Sequence, residues 1–429
     1  MTKAKPGYKL VKSLFGKEIE IPENWILENL SNLDVMTSSG GTPDRENKIY
    51  YAGDNIWIKS GELKDDFIFN SEEKITNDAL KNSSAKIFPK NTVLVAMYGA
   101  TIGKTGILGK DGSTNQAICG ILPNSKFIPI FLQQFLLLRR NLLVSFGMGA
   151  GQPNISQDLI KNFKYLVPPL SEQTKIASIL FNVDSLISIY SDILKTTNHL
   201  KTGLIQQLLV KGIGHKKFKK VKTLFGKYEE IPDSWKYVKL IEKCSKKPDY
   251  GASVSAIEKD TKLYRYIRIT DLNHDGSLRD KEWKSIYDDN AKNYILNDGD
   301  ILFARTGATV GKTFLYKKNY GKCAFAGYLI RFVLDPNHLI PEFLFYFTHS
   351  TSYLKWLRSI QTWGVQPNVN AEQYSNMRLF LPPLYEQQKI ITMLSTIDLK
   401  IIYYELKKSD LDKLKKGLMQ KLLFGQIKV

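Results

Sequence analysis

The stretch Val167-Pro168-Pro169-Leu170-Ser171-Glu172-Gln173 opens a long amphipathic run, and the pattern occurs twice in this chain. Leu381-Pro382-Pro383-Leu384-Tyr385-Glu386-Gln387 opens an equivalent run near the C-terminus. Proline presets φ and lacks an N–H, so it can precede a helix but not lie inside one. Glu172 and Glu386 place negative charge beside the unpaired N–H groups of a first helical turn. Each copy therefore predicts the start of a helix.

The apolar residues that follow each start recur at alternating steps of four and three. This spacing keeps one narrow stripe on one side of a helix, as in a coiled-coil seam. Each run has about 40 residues, which gives roughly 60 Å of helix. A small domain cannot bury so long a stripe, so we expect the two helices to pack against each other as an antiparallel spacer. The seam residues are Ile176, Leu180, Val183, Ile187, Leu194, Ile390, Leu394, Ile397, Ile401 and Leu411.

Shorter motifs repeat in the same order along the chain, which indicates a tandem duplication. Ile21-Pro22 with Trp25 recurs as Ile231-Pro232 with Trp235. The other matched pairs are Gly99-Ala100-Thr101-Ile102-Gly103-Lys104 with Gly307-Ala308-Thr309-Val310-Gly311-Lys312, Lys12-Ser13-Leu14-Phe15-Gly16-Lys17 with Lys222-Thr223-Leu224-Phe225-Gly226-Lys227, and Gln152-Pro153-Asn154 with Gln366-Pro367-Asn368. Because the segments before the two copies are alike, we expect a pseudo-twofold object with its termini close together.

Each copy has the pattern of a strand-rich globular part followed by a helix, so the predicted fold class is α+β. Strands are predicted at 56–59, 93–98, 265–270 and 301–305, and helices at 127–146 and 340–360. The predicted units are an N-terminal arm (1–19), a first domain (20–168), a first long helix (169–212), a basic linker (213–229), a second domain (230–381) and a second long helix (384–424).

The bulk composition favours a polyanionic partner. Sixty-one basic residues against 42 acidic ones give a net charge of +19, which points to nucleic acid before membrane surface. The apolar window 128–138 is far shorter than the ~20 residues that span a bilayer, so no membrane association is expected. The three cysteines and five histidines lack metal-ligand spacing. We expect a cytoplasmic protein without a structural metal.

Three motifs resemble catalytic signatures but lack the required geometry. Gly-Ala-Thr-x-Gly-Lys has three residues between its glycines, whereas a P-loop needs four to wrap a phosphate. Pro168-Pro169 lacks the preceding Asp or Asn of an adenine methyltransferase site. The stretch Pro43-Asp44-Arg45-Glu46-Asn47-Lys48 is absent from the second copy, unlike a duplicated nuclease site. The chain is therefore predicted to be non-catalytic.

Taken together, these features resemble the specificity subunit of type I restriction–modification enzymes. The similarity covers nearly the whole chain and rests on the duplicated Pro-Pro-Leu-x-Glu-Gln, Ile-Pro-x-x-Trp and Gly-Ala-Thr-x-Gly-Lys motifs. The first domain also carries Gly40-Gly41-Thr42-Pro43 and Thr114-Asn115-Gln116-Ala117, which are similar to recognition-domain motifs of that family.

The resemblance implies that two target-recognition domains each read half of a split DNA site, while the paired helices set the gap. It implies double-stranded DNA, two methyltransferase (M) subunits and two restriction/translocase (R) subunits as partners. S-adenosylmethionine, ATP and Mg are then expected on the partner subunits, with no cofactor on this chain. The second domain has Asp249-Tyr250-Gly251-Ala252-Ser253 where the first has Gly-Gly-Thr-Pro, so we expect different half-sites and an asymmetric target.

Candidate contacts with DNA follow from matched positions in the two copies. Lys104 and Lys312, on matched glycine turns expected to be exposed, are candidates for phosphate contacts, with a solvated surface lysine as the alternative. Arg305 ends a strand where Met97 stands in the first copy, so it is a candidate for reading guanine, with a structural salt bridge as the alternative. The full candidate set is Thr42, Lys59, Tyr98, Thr101, Lys104, Asn115, Gln116, Arg268, Arg305, Thr306, Thr309 and Lys312.

Two points remain open on the sequence alone. Lys201, Lys408 and Lys415 interrupt the helical stripe, either by reaching to the surface or by fixing the register of the helix pair. The rival function is a standalone DNA-binding regulator or a ligand-binding module built from duplicated α+β domains.

Overall fold

The computed structural model describes residues 4–12, 18–147, 154–223, 228–279, 281–360 and 367–429. The chain divides into two compact units: Met1–Ser191 with Leu406–Val429 form unit 1, and Asp192–Glu405 form unit 2. Each unit contains one strand-rich domain and a segment of each long helix. The units are described separately.

Short strands alternate with helices in the described part of the first half of the chain. The strands are β1 (Tyr8–Lys12), β2 (Glu18–Pro22), β3 (Ile26–Glu28), β4 (Thr37–Ser39), β5 (Asn55–Ile58), β6 (Asp66–Ile68), β7 (Glu73–Ile75), β8 (Ile87–Phe88), β9 (Val93–Ala96), β10 (Thr105–Leu108), β11 (Gly112–Thr114), β12 (Ile118–Ile121) and β13 (Tyr165–Val167). The helices in the described residues are α1 (Asn77–Lys81), α2 (Pro129–Phe146), α3 (Gln157–Asn162) and α4 (Leu170–Lys211).

The second half repeats this arrangement with fewer strands in the described residues. The strands are β14 (Phe218–Lys222), β15 (Tyr228–Pro232), β16 (Lys236–Lys239), β17 (Asp249–Tyr250), β18 (Tyr264–Ile267), β19 (Lys284–Ile286), β20 (Ile301–Ala304), β21 (Thr313–Leu315), β22 (Cys323–Phe325), β23 (Leu329–Phe332) and β24 (Arg378–Leu381). The helices are α5 (Asp288–Ala291), α6 (Pro341–Phe347), α7 (Thr351–Ile360), α8 (Ala371–Ser375) and α9 (Leu384–Leu422).

Among the described residues, the two larger sheets of unit 1 form the body of its domain, beside the strand pairs β1–β2 and β3–β13. One has the strand order β4-β12-β9-β10-β6, with β10 parallel to β6, and the other has the order β7-β5-β11-β8, with β11 parallel to β5. Successive residues of a strand point to opposite faces. Accordingly, Val93 and Val95 of β9 pack in the core shared with α2, whereas Leu94 and Ala96 pack in a second core with residues of β5.

The domain of unit 2 also has a strand whose alternate residues pack into two cores. Its two larger sheets in the described residues have the orders β17-β23-β20-β21 and β19-β18-β22, beside the strand pairs β14–β15 and β16–β24. Ile301 and Phe303 of β20 face the core that includes α6, while Leu302 and Ala304 face a smaller core with Ile267 of β18. The duplication therefore includes not only the motifs but also the packing of the central strand, since β9 and β20 each contribute alternate residues to two separate cores.

The two long helices pack with each other, as predicted. In unit 1, Ile176 and Leu180 near the start of α4 share a core with Met419 and Leu422 near the end of α9. In unit 2, the end of α4 meets the start of α9, where Leu208 shares a core with Leu394. Starts thus meet ends, which is the antiparallel arrangement. Every predicted seam residue is buried or half-buried.

One helix prediction was wrong in its continuity. The predicted single helix at 340–360 is two helices, α6 and α7, separated by Thr348, His349 and Ser350. The Ser350 hydroxyl accepts a 3.2 Å hydrogen bond from the backbone N–H of Tyr353. A serine side chain that caps a helix start in this way satisfies an otherwise unpaired donor and begins a new helix.

The segments near the two ends of the chain lie close together within unit 1, as the repeated segments before the two copies predicted. The Tyr8 hydroxyl, on β1, donates a 2.9 Å hydrogen bond to the carbonyl of Gly425. Parts of two repeated motifs lie outside the described residues. These parts are 13–17 and 224–227 of the first motif, and Gln152, Pro153 and Gln366 of the second.

One described helix, α4, is long and apolar enough to pass a length-and-composition test for a membrane span. The sequence-based expectation of no membrane association rests on the window 128–138 and does not include this helix. A core or interface helix passes the same test, so this feature alone is weak support for a membrane span. Asp184 and Lys201 of α4 form ion pairs with α9 residues, and charged groups are costly inside a bilayer.

Candidate nucleic-acid interface

The glutamine of each Pro-Pro-Leu-x-Glu-Gln motif fastens a long helix to its domain. Gln173 is buried; its Nε2 donates to the carbonyls of Pro168 (2.9 Å) and Lys126 (2.8 Å), and its Oε1 accepts from the N–H of Ile128 (2.9 Å). Gln387 makes the equivalent three bonds to Pro382, His338 and Ile340. The motif therefore joins the start of each long helix to the segment that leads into α2 or α6.

The glutamate of the same motif binds the tryptophan of the Ile-Pro-x-x-Trp motif. Trp25 Nε1 donates to Glu172 Oε2 at 2.9 Å, and Trp235 Nε1 donates to Glu386 Oε2 at the same distance. The sequence reasoning assigned these carboxylates to the helix N-terminus and did not foresee the indole contact. Two motifs about 150 residues apart thus form one joint in each half.

Two of the three lysines in the helical stripe pair with aspartates of the other helix. Lys201 Nζ lies 2.6 Å from Asp398 Oδ1 in unit 2, and Lys415 Nζ lies 2.6 Å from Asp184 Oδ1 in unit 1. The domain helices add a second bond to each aspartate, from the Tyr346 hydroxyl to Asp398 and from Gln134 Nε2 to Asp184. These contacts between the two helices support the second alternative, that Lys201 and Lys415 fix the register of the helix pair. Lys408, in contrast, pairs with Asp412 of its own helix.

The glycine turns after β9 and β20 have the backbone geometry that the sequence predicted. Gly99 and Gly103 have φ of +87° and +74°, and Gly307 and Gly311 have φ of +68° and +84°. Residues with a Cβ rarely adopt these values, whereas glycine does so at little cost. The Thr101 hydroxyl donates to the carbonyl of Ser60 at 2.9 Å, so the turn is bound to the loop after β5.

The two lysines of these turns are not equivalent. Both are half-buried rather than fully exposed, contrary to the sequence-based expectation. The ammonium of Lys312 donates to the carbonyl of Leu272 at 3.0 Å, and burial lowers its pKa. No acceptor within the described residues contacts the Lys104 ammonium. Lys104 is therefore the better-placed candidate for a phosphate contact.

The other candidates in the first domain fall into two groups. Lys59 has its ammonium 2.9 Å from Glu72 and 3.0 Å from Glu73, and these carboxylates raise its pKa. Its charge is therefore locally balanced. The second group is half-buried or exposed. In it the Thr42 hydroxyl donates to the side-chain oxygen Oε1 of Gln116, and Asn115 and Tyr98 complete the group.

In the second domain, a cavity of about 670 Å³ brings two candidates together. Arg268 and Arg305 both line it. Arg268 forms a two-point contact with Asp271, which raises the pKa of the guanidinium. Arg305 instead lies over the ring of Tyr250, with its Cζ 4.8 Å from the ring centroid. Thr306 is paired through its backbone with Asn368, and the Thr309 hydroxyl donates to the carbonyl of Thr306.

Sequence reasoning missed two aromatic residues at this cavity. Tyr250 supports Arg305, and Tyr328, which is 61 % exposed, lines the opening. Both lie in the two stretches, 249–253 and 323–328, where the second domain departs from the motifs of the first. That departure was the available signal, because a change confined to matched loops marks where the two domains differ in what they contact.

No catalytic arrangement is evident among the described residues. Burial raises the pKa of the Cys119 and Cys244 thiols to about 12 and that of Cys323 to about 11, so these thiols stay protonated at neutral pH. The described residues contain no group of three or more His, Cys, Asp or Glu side chains that could hold a metal ion.

Comparison with known proteins gives a consistent result. The model of the type I restriction modification DNA specificity domain matches residues 22–198 and again 232–415. The MjaVIII type I specificity subunit of Methanocaldococcus jannaschii is 27 % identical over 424 residues, covering 96 % of this chain and 95 % of the relative. The EcoR124I/EcoR124II specificity subunit of Escherichia coli is 22 % identical over 198 residues, covering 45 % and 46 % of the two chains.

The solved S subunit from M. genitalium has the same fold, with a TM-score of 0.59 at 14 % identity over 94 % of this chain and 96 % of that one. A chain from a solved type I R-M system gives 0.57 at 18 % identity, covering 95 % and 99 %.

Proposed function

This chain belongs to the type I restriction–modification DNA specificity family, and from that premise we propose that its two domains bind the two unlike halves of a split DNA sequence. As a specificity subunit it recognises DNA and leaves the chemistry to other subunits. The proposed asymmetry of the DNA target rests on one observation: the two domains have unlike side chains at equivalent positions of the duplicated fold. At equivalent strand ends the first domain has Met97 and Lys59, and the second has Arg305 and Arg268.

The long helices would set the distance between the two half-sites. Their register is held by two ion pairs, Asp184–Lys415 and Lys201–Asp398, each in its own unit. Two matched contacts along an antiparallel pair resist sliding, because a shift of one turn (about 5.4 Å) would separate both pairs at once. A spacer with a fixed register is what a fixed gap between half-sites requires.

Apolar residues on the helices outside the seam would bind partner subunits. On α4 these are Phe181, Leu186 and Ile189, each more than 40 % exposed, and on α9 they include Leu399 and Leu406. Exposed apolar residues in number mark protein interfaces. We assign them to two methyltransferase subunits, with two restriction/translocase subunits joining the complex. S-adenosylmethionine, ATP and Mg would bind those partners, and the complex would act on double-stranded DNA in the cytoplasm.

The test is to map methylated bases in the genome of the host and of a strain that lacks this gene. We expect a two-part, asymmetric motif with a fixed gap, present only when the gene is present. Restoring the gene on a plasmid should restore the motif. Methylation that is unchanged by deletion would contradict the proposal and favour a standalone regulator.

A further inference from the structure

The cavity of the second domain contains one arginine, Arg305, whose side-chain donors are not used by the residues that the structure describes. Among the described residues, no carboxylate or carbonyl accepts a hydrogen bond from the Arg305 guanidinium, and its buried Nε has no partner. Two other arginines of this domain differ: Arg268, which lines the same cavity, donates to Asp271, and Arg331 donates to Asp249 with bonds of 2.9 and 2.5 Å. An arginine without an internal acceptor, held beside an open cavity, is arranged for an external one.

The position of Arg305 is fixed even though its donors are unused. Its backbone N–H donates to the carbonyl of Tyr328 at 3.0 Å, and its carbonyl accepts from the N–H of Val369 at 2.8 Å. The Tyr250 ring, 4.8 Å from Cζ, supports one face of the guanidinium. A guanidinium stacked on a ring loses less side-chain entropy on binding a ligand than one extended into solvent.

We propose that Arg305 reads a guanine in the half-site bound by the second domain, an inference that rests on the function proposed above. The terminal nitrogens of a guanidinium match the O6 and N7 acceptors of guanine in the major groove, and this is the most common specific arginine contact with DNA. The cavity wall has small residues at Ala252, Ser253, Ala326 and Gly327, which leave room for a base edge. The exposed Tyr328 borders the same opening.

The first domain has no equivalent of this reader. Met97 stands at the matched position, is 7 % exposed and packs in the domain core. It offers no hydrogen-bond donor to a base. A guanine contact from this strand end therefore belongs to the second half-site, and it distinguishes the two domains at a matched position.

The experiment uses the full chain in complex with its methyltransferase subunit and a DNA library randomised over the mapped motif. Arg305→Met copies the residue of the first domain, and Arg305→Lys keeps the charge but not the two-point geometry. The matched control is Arg378→Met, which removes an arginine that also lies over a tyrosine, Tyr237, outside the cavity. Thermal unfolding of each variant checks that the second domain is folded.

We expect the wild-type complex to require guanine at one position of the second half-site. Arg305→Met should reduce that preference about 10- to 100-fold and leave the first half-site unchanged. Arg305→Lys should bind DNA but lose most of the preference, and Arg378→Met should keep it. A uniform loss of affinity for all sequences, with a shallower salt dependence, would assign Arg305 to a phosphate and overturn the inference.

The outcomes separate this inference from the proposed function. A wild-type complex that selects a two-part motif without guanine in the second half would overturn the role of Arg305 while the function stands. A complex that selects no motif would contradict the function itself. An unchanged motif in a folded Arg305→Met complex would also overturn the role of Arg305.

Discussion

Lys201 Nζ lies 2.6 Å from Asp398 Oδ1, and the equivalent residues of the duplication, Lys415 and Asp184, lie the same distance apart. The lysine and the aspartate come from different long helices in both cases. The four side chains are 22–32 % exposed, so the pairs are only partly screened by water. Lys201 and Lys415, which interrupt the apolar stripe, thus have partners that a shifted register would remove.

The first prediction concerns this pairing. In a double-mutant cycle with Lys201→Met and Asp398→Asn, we expect a coupling energy of about 1 kcal/mol, because the pair is partly buried and shares Asp398 with Tyr346. Chemical unfolding of the single and double variants measures it. Lys415→Met with Asp184→Asn is the matched cycle and should give a similar value. Strictly additive effects in both cycles would mean that the ion pairs do not hold the register.

The second prediction concerns the two glutamates that bind tryptophans. Glu386 is 2 % exposed and accepts from Trp235 Nε1, the Ile213 N–H and the His215 ring. Glu386→Gln replaces one acceptor oxygen with a donor and leaves a buried N–H unpaired, which should lower stability by about 1–3 kcal/mol. Glu172→Gln is the matched variant. Glu172 is more exposed, so water can replace the lost bond, and the loss should be smaller. Equal losses in thermal unfolding would contradict this explanation.

The third prediction tests whether the helices determine the gap. One heptad would be inserted between Asp184 and Lys201 in α4 and one between Asp398 and Lys415 in α9, which keeps both ion pairs. Seven residues add about 10 Å of helix, roughly three base pairs of duplex at its axial rise. The methylated motif should keep both half-sites and gain about three base pairs between them. An insertion in α4 alone is the control and should impair assembly. An unchanged gap in an active complex would remove the helices as the spacer.

The fourth prediction separates the two turn lysines. Lys104→Ala should weaken DNA binding and reduce the slope of log affinity against log salt by about one, as expected when one phosphate contact is lost. Lys312→Ala should leave the slope unchanged and lower the thermal stability, because its ammonium binds the Leu272 carbonyl. Filter binding or anisotropy over a salt series measures both. If Lys312→Ala reduces the slope instead, its ammonium leaves Leu272 for a phosphate in the complex.

The fifth prediction concerns pH and His349. Burial lowers the pKa of this histidine, whose Nδ1 donates to the carbonyl of Phe345 at 2.8 Å. The folded chain therefore holds His349 neutral, while the unfolded chain binds a proton below a pH of about 6.5. Stability should fall as the pH drops through that value, since the unfolded state binds more protons. His349→Gln should reduce this fall, measured as the denaturation midpoint at pH 7 and 5.5. His199→Gln, at an exposed position of α4, is the control and should behave as wild type.

Much of the architecture could be predicted because its signals are local or repeated. Proline pairs mark helix starts whatever surrounds them, and the four-three stripe requires one helix to cover another. The predicted helix at 169–212 is observed at Leu170–Lys211, and the glycine turns have the positive φ that their sequence indicated. The break between α6 and α7 was not predicted, because an apolar face continues across it and the capping by Ser350 is weak in the sequence.

The sequence by itself determined the duplication, the two long helices, the family resemblance and the positions where the two domains differ. Only the tertiary structure decided which polar groups are already satisfied. Lys312 and Arg268 were both candidates on the sequence, but in the structure the Lys312 ammonium donates to the Leu272 carbonyl and the Arg268 guanidinium donates to Asp271. The structure also supplies aspartate partners for the seam lysines Lys201 and Lys415, which the sequence did not identify. Spacing along a chain fixes local geometry, but hydrogen-bond partners are set by which distant segments meet, and that information exists only once the chain has folded.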